Sequence, residues 1–174
     1  AMFSSVNRPF YQSTQKIGLK EIPIEVYRQF AIDLFSTYNK SISPVVFDYI
    51  YNLMMGHTWY VQYLLNQLFS LSQYEYSEQD VNLLITEILQ EENATFKTYC
   101  EVISKGQLRL LKAIATEKKV SLPYEGTFMR KYNLTAPSSV KLALSSLIDK
   151  TFILKGEDGA YYVYDRFFSL WLAQ

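Results

Sequence analysis

Cysteine and histidine are almost missing from this chain, with Cys100 and His57 occurring once each in 174 residues. A single thiol excludes an internal disulfide, and one thiol plus one imidazole cannot assemble a structural zinc site, so no metal is expected. Triad-type catalysis is poorly served too, because it needs the lone histidine to meet a nucleophile at hydrogen-bond distance. Cys100 falls on an apolar helix face and reads as a buried thiol. The paired acids Glu91-Glu92 fall in a bend and read as solvated charge.

Glycine is sparse as well. The six glycines are Gly18, Gly56, Gly106, Gly126, Gly156 and Gly159, and none opens the Gly-Lys-Ser/Thr turn that wraps backbone amides round phosphates. No apolar run ends in the paired acids that would hold magnesium, so this chain is not expected to hydrolyse ATP by itself. Hydrophobic residues make up 49% and charged residues 20%, with no apolar run near the about 18 residues that span a bilayer. Nothing resembling a charged-then-apolar leader follows Ala1-Met2, so the expected location is the cytoplasm, away from any membrane. Asn93-Ala94-Thr95 and Asn133-Leu134-Thr135 match the glycosylation pattern and are read as chance in that setting.

Net charge is also lacking, at +0 overall. It is unevenly spread: residues 1–100 carry six Lys/Arg against ten Asp/Glu, and residues 101–174 carry eleven against seven. A mildly acidic half followed by a mildly basic half suggests two modules, without the strong excess expected of a polyanion binder.

What is present is helical periodicity. Residues 1–22, with Arg8-Pro9-Phe10-Tyr11, read as an irregular lead-in, and its apolar residues suggest a protein that extends further upstream. Pro23 starts a largely apolar helix over 24–38 containing Val26, Phe30, Ile32, Leu34 and Phe35. Ser43-Pro44 starts a second, with Phe47, Ile50, Tyr51 and Met54 inward, and Gly56 stops it. A third runs from Thr58 to about Ser72 on a stripe of Val61, Leu64, Leu65 and Leu68, with Trp59, Tyr60 and Tyr63 read as core. Ser77 to Asp80 resembles a capping box opening one long helix or two, broken at Glu91-Glu92-Asn93, and a domain boundary is placed near Ser104.

The second module reads as three helices and a hairpin. Ser104 and Gln107 cap a helix ending near Lys119, Thr127 caps a short one closed by Asn133, and Thr135-Ala136-Pro137 opens a third with Val140, Leu144, Leu147 and Ile148 inward. Two β-like runs, Thr151 to Leu154 and Ala160 to Tyr164, flank a turn-rich loop, and Asp165 caps a last aromatic helix. The expected fold is mainly α: a helical bundle over 23–103, then a winged helix-turn-helix with a small β-hairpin over 104–174.

Winged helices that bind DNA set their third helix in the major groove. The phosphate- or base-facing candidates here are Arg130, Lys131, Ser138, Ser139, Lys141, Lys150 and Lys155, a set without an arginine or asparagine on the third helix for bidentate base contacts. Scattered lysines on a solvated face explain the same residues, and a wing that binds protein is an equal alternative.

Five stretches resemble the C-terminal part of archaeal-type AAA/STAND ATPases: Arg8-Pro9-Phe10-Tyr11, Gly56-His57-Thr58-Trp59-Tyr60-Val61-Gln62, Ser138-Ser139-Val140, Tyr164-Asp165-Arg166-Phe167-Phe168, and Trp171-Leu172. That family usually carries proline where this chain has Thr58, which leaves the turn less enforced, although Thr58 can still cap. The resemblance implies a helical lid and winged helix attached to an N-terminal nucleotide-binding domain that holds ATP and magnesium. It also implies that Gly56, His57 and Thr58 face the nucleotide, with His57 sensing a phosphate; the plainer reading is that His57 caps or fills the turn. The alternatives are a free-standing winged-helix DNA-binding regulator with a helical dimerisation domain, and a protein-binding adaptor.

Overall fold

The computed structural model describes residues 21–174, so the Arg8 to Tyr11 stretch and most of the expected lead-in lie outside the described residues. The first half consists of α1 (Ile24–Thr37), α2 (Pro44–Leu53), α3 (Thr58–Ser70) and α4 (Glu78–Glu91). Proline supplies a preset φ and lacks the amide that a first turn leaves unpaired, and Pro44 follows Ser43, whose hydroxyl accepts from the Val46 amide. Helix α4 opens on a reciprocal capping box between Ser77 and Asp80. The Arg28 guanidinium grips Asp48 through two hydrogen bonds of 2.6 and 3.0 Å and fastens α1 to α2. Lys40 Nζ donates to the carbonyls of Phe69 and Leu71 at 2.5 and 2.6 Å, placing a cation on the negative end of α3.

Periodicity names no inward face for the largely apolar α1, and packing supplies one. Tyr27, Ala31 and Phe35 are buried, whereas Val26, Phe30 and Leu34 are exposed. Three apolar residues among the outer positions left the stripe ambiguous, and packing against α2 selected the Tyr27 face, where Tyr27 meets Phe47 edge to ring. The α3 stripe of Val61, Leu64, Leu65 and Leu68 is buried as expected, and Tyr60 joins it. Trp59 is not core: it is 57% exposed, stacked on Tyr63 along the outer surface.

The break at Glu92 is real and makes two helices, with α5 (Asn93–Glu101) following α4. Beyond it come α6 (Lys105–Glu117), α7 (Gly126–Lys131), α8 (Pro137–Asp149), the strands β1 (Ile153–Lys155) and β2 (Tyr161–Val163), and α9 (Arg166–Leu172). Ser104 and Gln107 form the expected capping box. Thr127 does not cap α7, which begins one residue earlier with Glu125 at its cap, and Ala136 precedes Pro137 at the start of α8 without a side-chain bond. In both cases chain geometry starts the helix and no hydroxyl reaches its amides. Cys100 is half-buried, and burial pushes its thiol up.

The strands pair antiparallel in the register Ile153 with Val163 and Lys155 with Tyr161. Val120 extends this hairpin, exchanging hydrogen bonds of 3.0 and 2.8 Å with Tyr161. Helix α6 packs on α8, α9 and β2, completing three helices and a wing.

Helix α9 joins the two halves. Asp165 caps it by accepting from the Phe168 amide at 3.0 Å, and its residues pack against α4, α5, α6 and β2. Phe168 lies among the rings of Phe96, Tyr99, Phe152 and Trp171, while Phe167 meets Tyr60 and Tyr63 of α3. The Trp171 indole donates to Asn93 Oδ1 at 3.1 Å, which gives the first residue of the apparent sequon a structural job. One continuous hydrophobic cluster consequently runs from Tyr27 to Leu172. No helix among the described residues is long and apolar enough to cross a membrane.

Truncating a fully buried phenylalanine costs about 3 to 5 kcal/mol through lost transfer energy and the cavity left behind. Phe168→Ala should lower stability by that amount, and urea unfolding followed by the fluorescence of Trp59 and Trp171 and by far-ultraviolet circular dichroism should show both halves loosening together.

Candidate functional site

The turn between α2 and α3 is built from two consecutive left-handed residues, Met55 at φ 53° and Gly56 at φ 72°. The Gly56 amide reaches back to the Tyr51 carbonyl at 2.9 Å and the His57 amide to Met54 at 3.1 Å, so the carbonyls ending α2 are satisfied by the turn itself. Glycine is needed at residue 56 for space as well as for φ. A Cβ there would lie 2.9 Å from Tyr51 Oη and 3.0 Å from Glu21 Oε2, and that Tyr51 hydroxyl is held by the Ile22 carbonyl at 2.8 Å.

His57 occupies the cap position of α3 in extended conformation, but its side chain makes no capping bond, and neither does Thr58, the first helical residue. The first intrahelical bond runs from the Val61 amide to the His57 carbonyl, which leaves the amides of Thr58, Trp59 and Tyr60 without a partner among the described residues in this 13-residue helix. The imidazole stands edge-on to Tyr60 at 4.9 Å between ring centres, and its Nδ1 is buried without a hydrogen-bond partner among the described residues.

This turn forms one wall of a cleft of about 620 Å³. Met54, Met55 and His57 line that wall, and Lys119, the wing residues Gly156 to Asp158, Tyr162 and Arg166 line the other, with Glu21 between. Lys119 is fixed by an ion pair with Asp158 at 2.9 Å, and the hydrogen bond between them pushes the lysine up and holds the aspartate below the usual carboxylate range. Arg166 is 3% exposed. Its Nη1 makes one long contact of 3.4 Å to the Val163 carbonyl, and its Nε has no partner among the described residues. Burial pulls its pKa down, against the opposing charges of Tyr60, Asp165 and Tyr162. Nearby, burial followed by the Asp165 charge pushes the Tyr60 hydroxyl above its ordinary value.

The turn thus brings His57, expected from the sequence, together with Arg166, which sequence reasoning quoted without a role. The available signal was a lone arginine beside the apolar run Phe167, Phe168, Leu170, Trp171 and Leu172.

The nucleic-acid candidates are dispersed by comparison. Ser138, Ser139 and Lys141 lie exposed on the first turns of α8, next to Leu142, which is 74% exposed. Lys141 sits over the Tyr124 ring at 5.4 Å, and Lys155 over Tyr161 at 5.5 Å. Lys150 donates to the Val102 carbonyl at 2.9 Å. Lys131 is paired with Glu117 at 2.5 Å, an acid also bound by the Tyr132 hydroxyl at 2.6 Å and held low by those two hydrogen bonds. Arg130 is exposed on α7. Among the described residues, no group of three or more His, Cys, Asp or Glu side chains could hold a metal ion.

Residues 94–174 match the family model described as a probable winged helix domain, a span running from the start of α5 to the end of the chain and covering just under half of it. With three helices and an antiparallel wing in that span, the chain is a mainly helical protein whose C-terminal part is a winged helix domain. No curated protein and no solved structure matches the chain.

A side chain in the left-handed region costs about 1 to 2 kcal/mol. Gly56→Ala should lose at least that much, because its Cβ also strikes the anchored Tyr51 hydroxyl. Gly159→Ala, at φ 79° with nothing within 4 Å of the added carbon, should lose only the conformational part. Urea midpoints of the two variants make the comparison, and equal losses would remove the crowding argument.

Proposed function

We propose that this chain is the helical lid and winged helix of an AAA/STAND-type ATPase. It closes over nucleotide held by an N-terminal nucleotide-binding domain and passes the state of that nucleotide to a partner. The observation that carries the reading is the open α3 N-terminus. His57 lines the cleft at the start of α3, whose first three amides have no partner among the described residues and whose positive dipole end follows a turn of left-handed backbone. Helices α2, α4, α6 and α9 carry a side-chain cap, whereas α3 shares an uncapped start with α1, α5, α7 and α8, so what sets α3 apart is the cleft that His57 lines. The resemblance of Gly56 to Gln62 to the lid of such ATPases points the same way. ATP and magnesium belong to the upstream domain in this reading, with Gly56, His57 and Thr58 as the nucleotide-facing part of this chain.

The reading frame upstream should encode a glycine-rich loop ending in Gly-Lys-Ser/Thr. In the full-length protein, His57→Ala should weaken nucleotide binding about tenfold, the value of one hydrogen bond to a charged group. Unchanged affinity and turnover in that variant would remove His57 from the site.

The second reading is a winged-helix DNA-binding regulator with a helical dimerisation domain. It is favoured by the exposed start of α8, where Ser138, Ser139 and Lys141 have no acidic partner among the described residues, with Arg130 on α7 also exposed. Against it, Lys131 and Lys150 are engaged within the protein, and Leu142 offers a hydrocarbon where a base-reading helix usually offers donors. The same exposed leucine suits a protein partner. A gel shift with random duplex DNA separates the two readings. Under the ATPase reading no band shifts at physiological salt. A shifted band that fades steeply as salt rises, and weakens further with Arg130→Ala and Lys141→Ala, would favour the regulator.

A further inference from the structure

We infer that the exposed face of α1 and α3 is a docking surface for a second copy of this chain, which closes a two-fold dimer through the helical bundle. The inference goes beyond both readings above, and this face shares no residue with the cleft beside His57. Val26, Phe30, Leu34 and Tyr38 recur at steps of four along α1 and the residue that ends it, and each is between 43 and 63% exposed. Side chains at that spacing stand in one row on a helix. Between this row and Gln62, Leu65, Asn66 and Phe69 of α3 runs a groove of about 340 Å³. Scattered exposed leucines need no explanation, whereas a contiguous apolar patch beside a groove marks an interaction surface.

Shape and polarity choose the occupant. Row and groove lie side by side on one face, so a two-fold axis running along that face sets the row of each copy into the groove of the other. A foreign helix laid in the groove would leave the outer side of the row, at Val26, in water. The polar edges also match. Helix α3 has no charged residue, and no lysine or arginine lines the groove: Arg28 is spent on Asp48, and Lys40 on the carbonyls of Phe69 and Leu71. Asp33 stands on the flank of the row away from the groove, where Gln29 donates to its Oδ1 at 2.8 Å and Oδ2 has no partner among the described residues. The N-terminal ends of α1 and α3 adjoin at Glu21 and Gly56 and their C-terminal ends at Tyr38 and Phe69, so the two helices run the same way. The two-fold axis then carries Asp33 of each copy to the far wall of the other's groove, level with the Asn66 amide, and keeps the two carboxylates on opposite edges. The row exposes on the order of 400 Å² of apolar surface. That is about half of the roughly 800 Å² each partner gives to a stable complex, which makes the dimer a weak one.

Sedimentation equilibrium of the 174-residue chain tests the dimer. The chain should be monomeric at low micromolar concentration and dimeric, without larger species, at high micromolar concentration. Phe30→Asp, at an exposed position that should leave the circular dichroism unchanged, should weaken association at least about tenfold, because the new charge must lose its water in the groove. Asn66→Lys should tighten it a few-fold by setting a cation against Asp33 on both edges, a gain that fades with salt and is lost when Asp33→Asn is added. Monomer mass at every concentration, association that Phe30→Asp leaves unchanged, or a dimer broken by Leu142→Asp on α8 instead overturns the proposal. Growth beyond the dimer does so as well, since a two-fold contact closes on itself. An Asn66→Lys chain that associates no more tightly overturns the two-fold arrangement. A monomeric chain leaves the lid reading standing, and failure of His57→Ala to alter nucleotide binding leaves the dimer standing.

Discussion

The packing of α9 against the aromatic rings of Phe96, Tyr99 and Phe152 is the contact on which the rest of the structure depends. Burying a large apolar side chain contributes about 1.5 to 3 kcal/mol, and Phe167, Phe168 and Leu172 are all buried on this one short helix. A seven-residue helix has little stability of its own, so α9 exists because the surface receiving it spans both halves of the chain. The same insertion seats Phe167 against Tyr60 and Tyr63, and so fixes the start of α3 relative to the wing. The position of Arg166 follows directly. It is the first residue of α9, and a helix driven into a hydrophobic nest carries its first residue down with it.

The Gly56 turn meets that arrangement from the other side. Left-handed backbone at Met55 and Gly56 closes α2 within two residues and starts α3 at once, with His57 at the cap position, where its side chain makes no capping bond. A serine or aspartate at that position would be the more stable start, and the missing side-chain cap is a local cost of about 1 kcal/mol.

Most of the fold was legible in the sequence because it follows from short-range rules. Ser43-Pro44, Ser77 with Asp80, Ser104 with Gln107 and Asp165 each cap a helix where the pattern places it, and the hairpin falls on the two β-like runs. What the sequence could not settle was which of several apolar faces turns inward. Helix α1 carries hydrophobic residues nearly all round, so periodicity could not choose Tyr27, Ala31 and Phe35 over Val26, Phe30 and Leu34. Trp59 was misplaced for the same reason: an aromatic at the first turn of an apolar helix looks like core until the neighbouring helices are known. Val120 joined the wing through a single residue, too short a run to carry any alternation.

The candidate site was half legible. Its first wall, Met54, Met55 and His57, lies in one short stretch around Gly56, and a contiguous stretch can be read. Its second wall is assembled from residues more than sixty positions away, Lys119 at the end of α6 and Arg166 at the start of α9, which only the docking of α9 brings opposite His57. That assembly also supplies a physical route between cleft and winged helix. Arg166 opens the helix that packs against α4, α5 and α6, and Asp165 ties its first turn down through the Phe168 amide. A small displacement there cannot be absorbed locally, because close-packed aromatic rings shift as a unit.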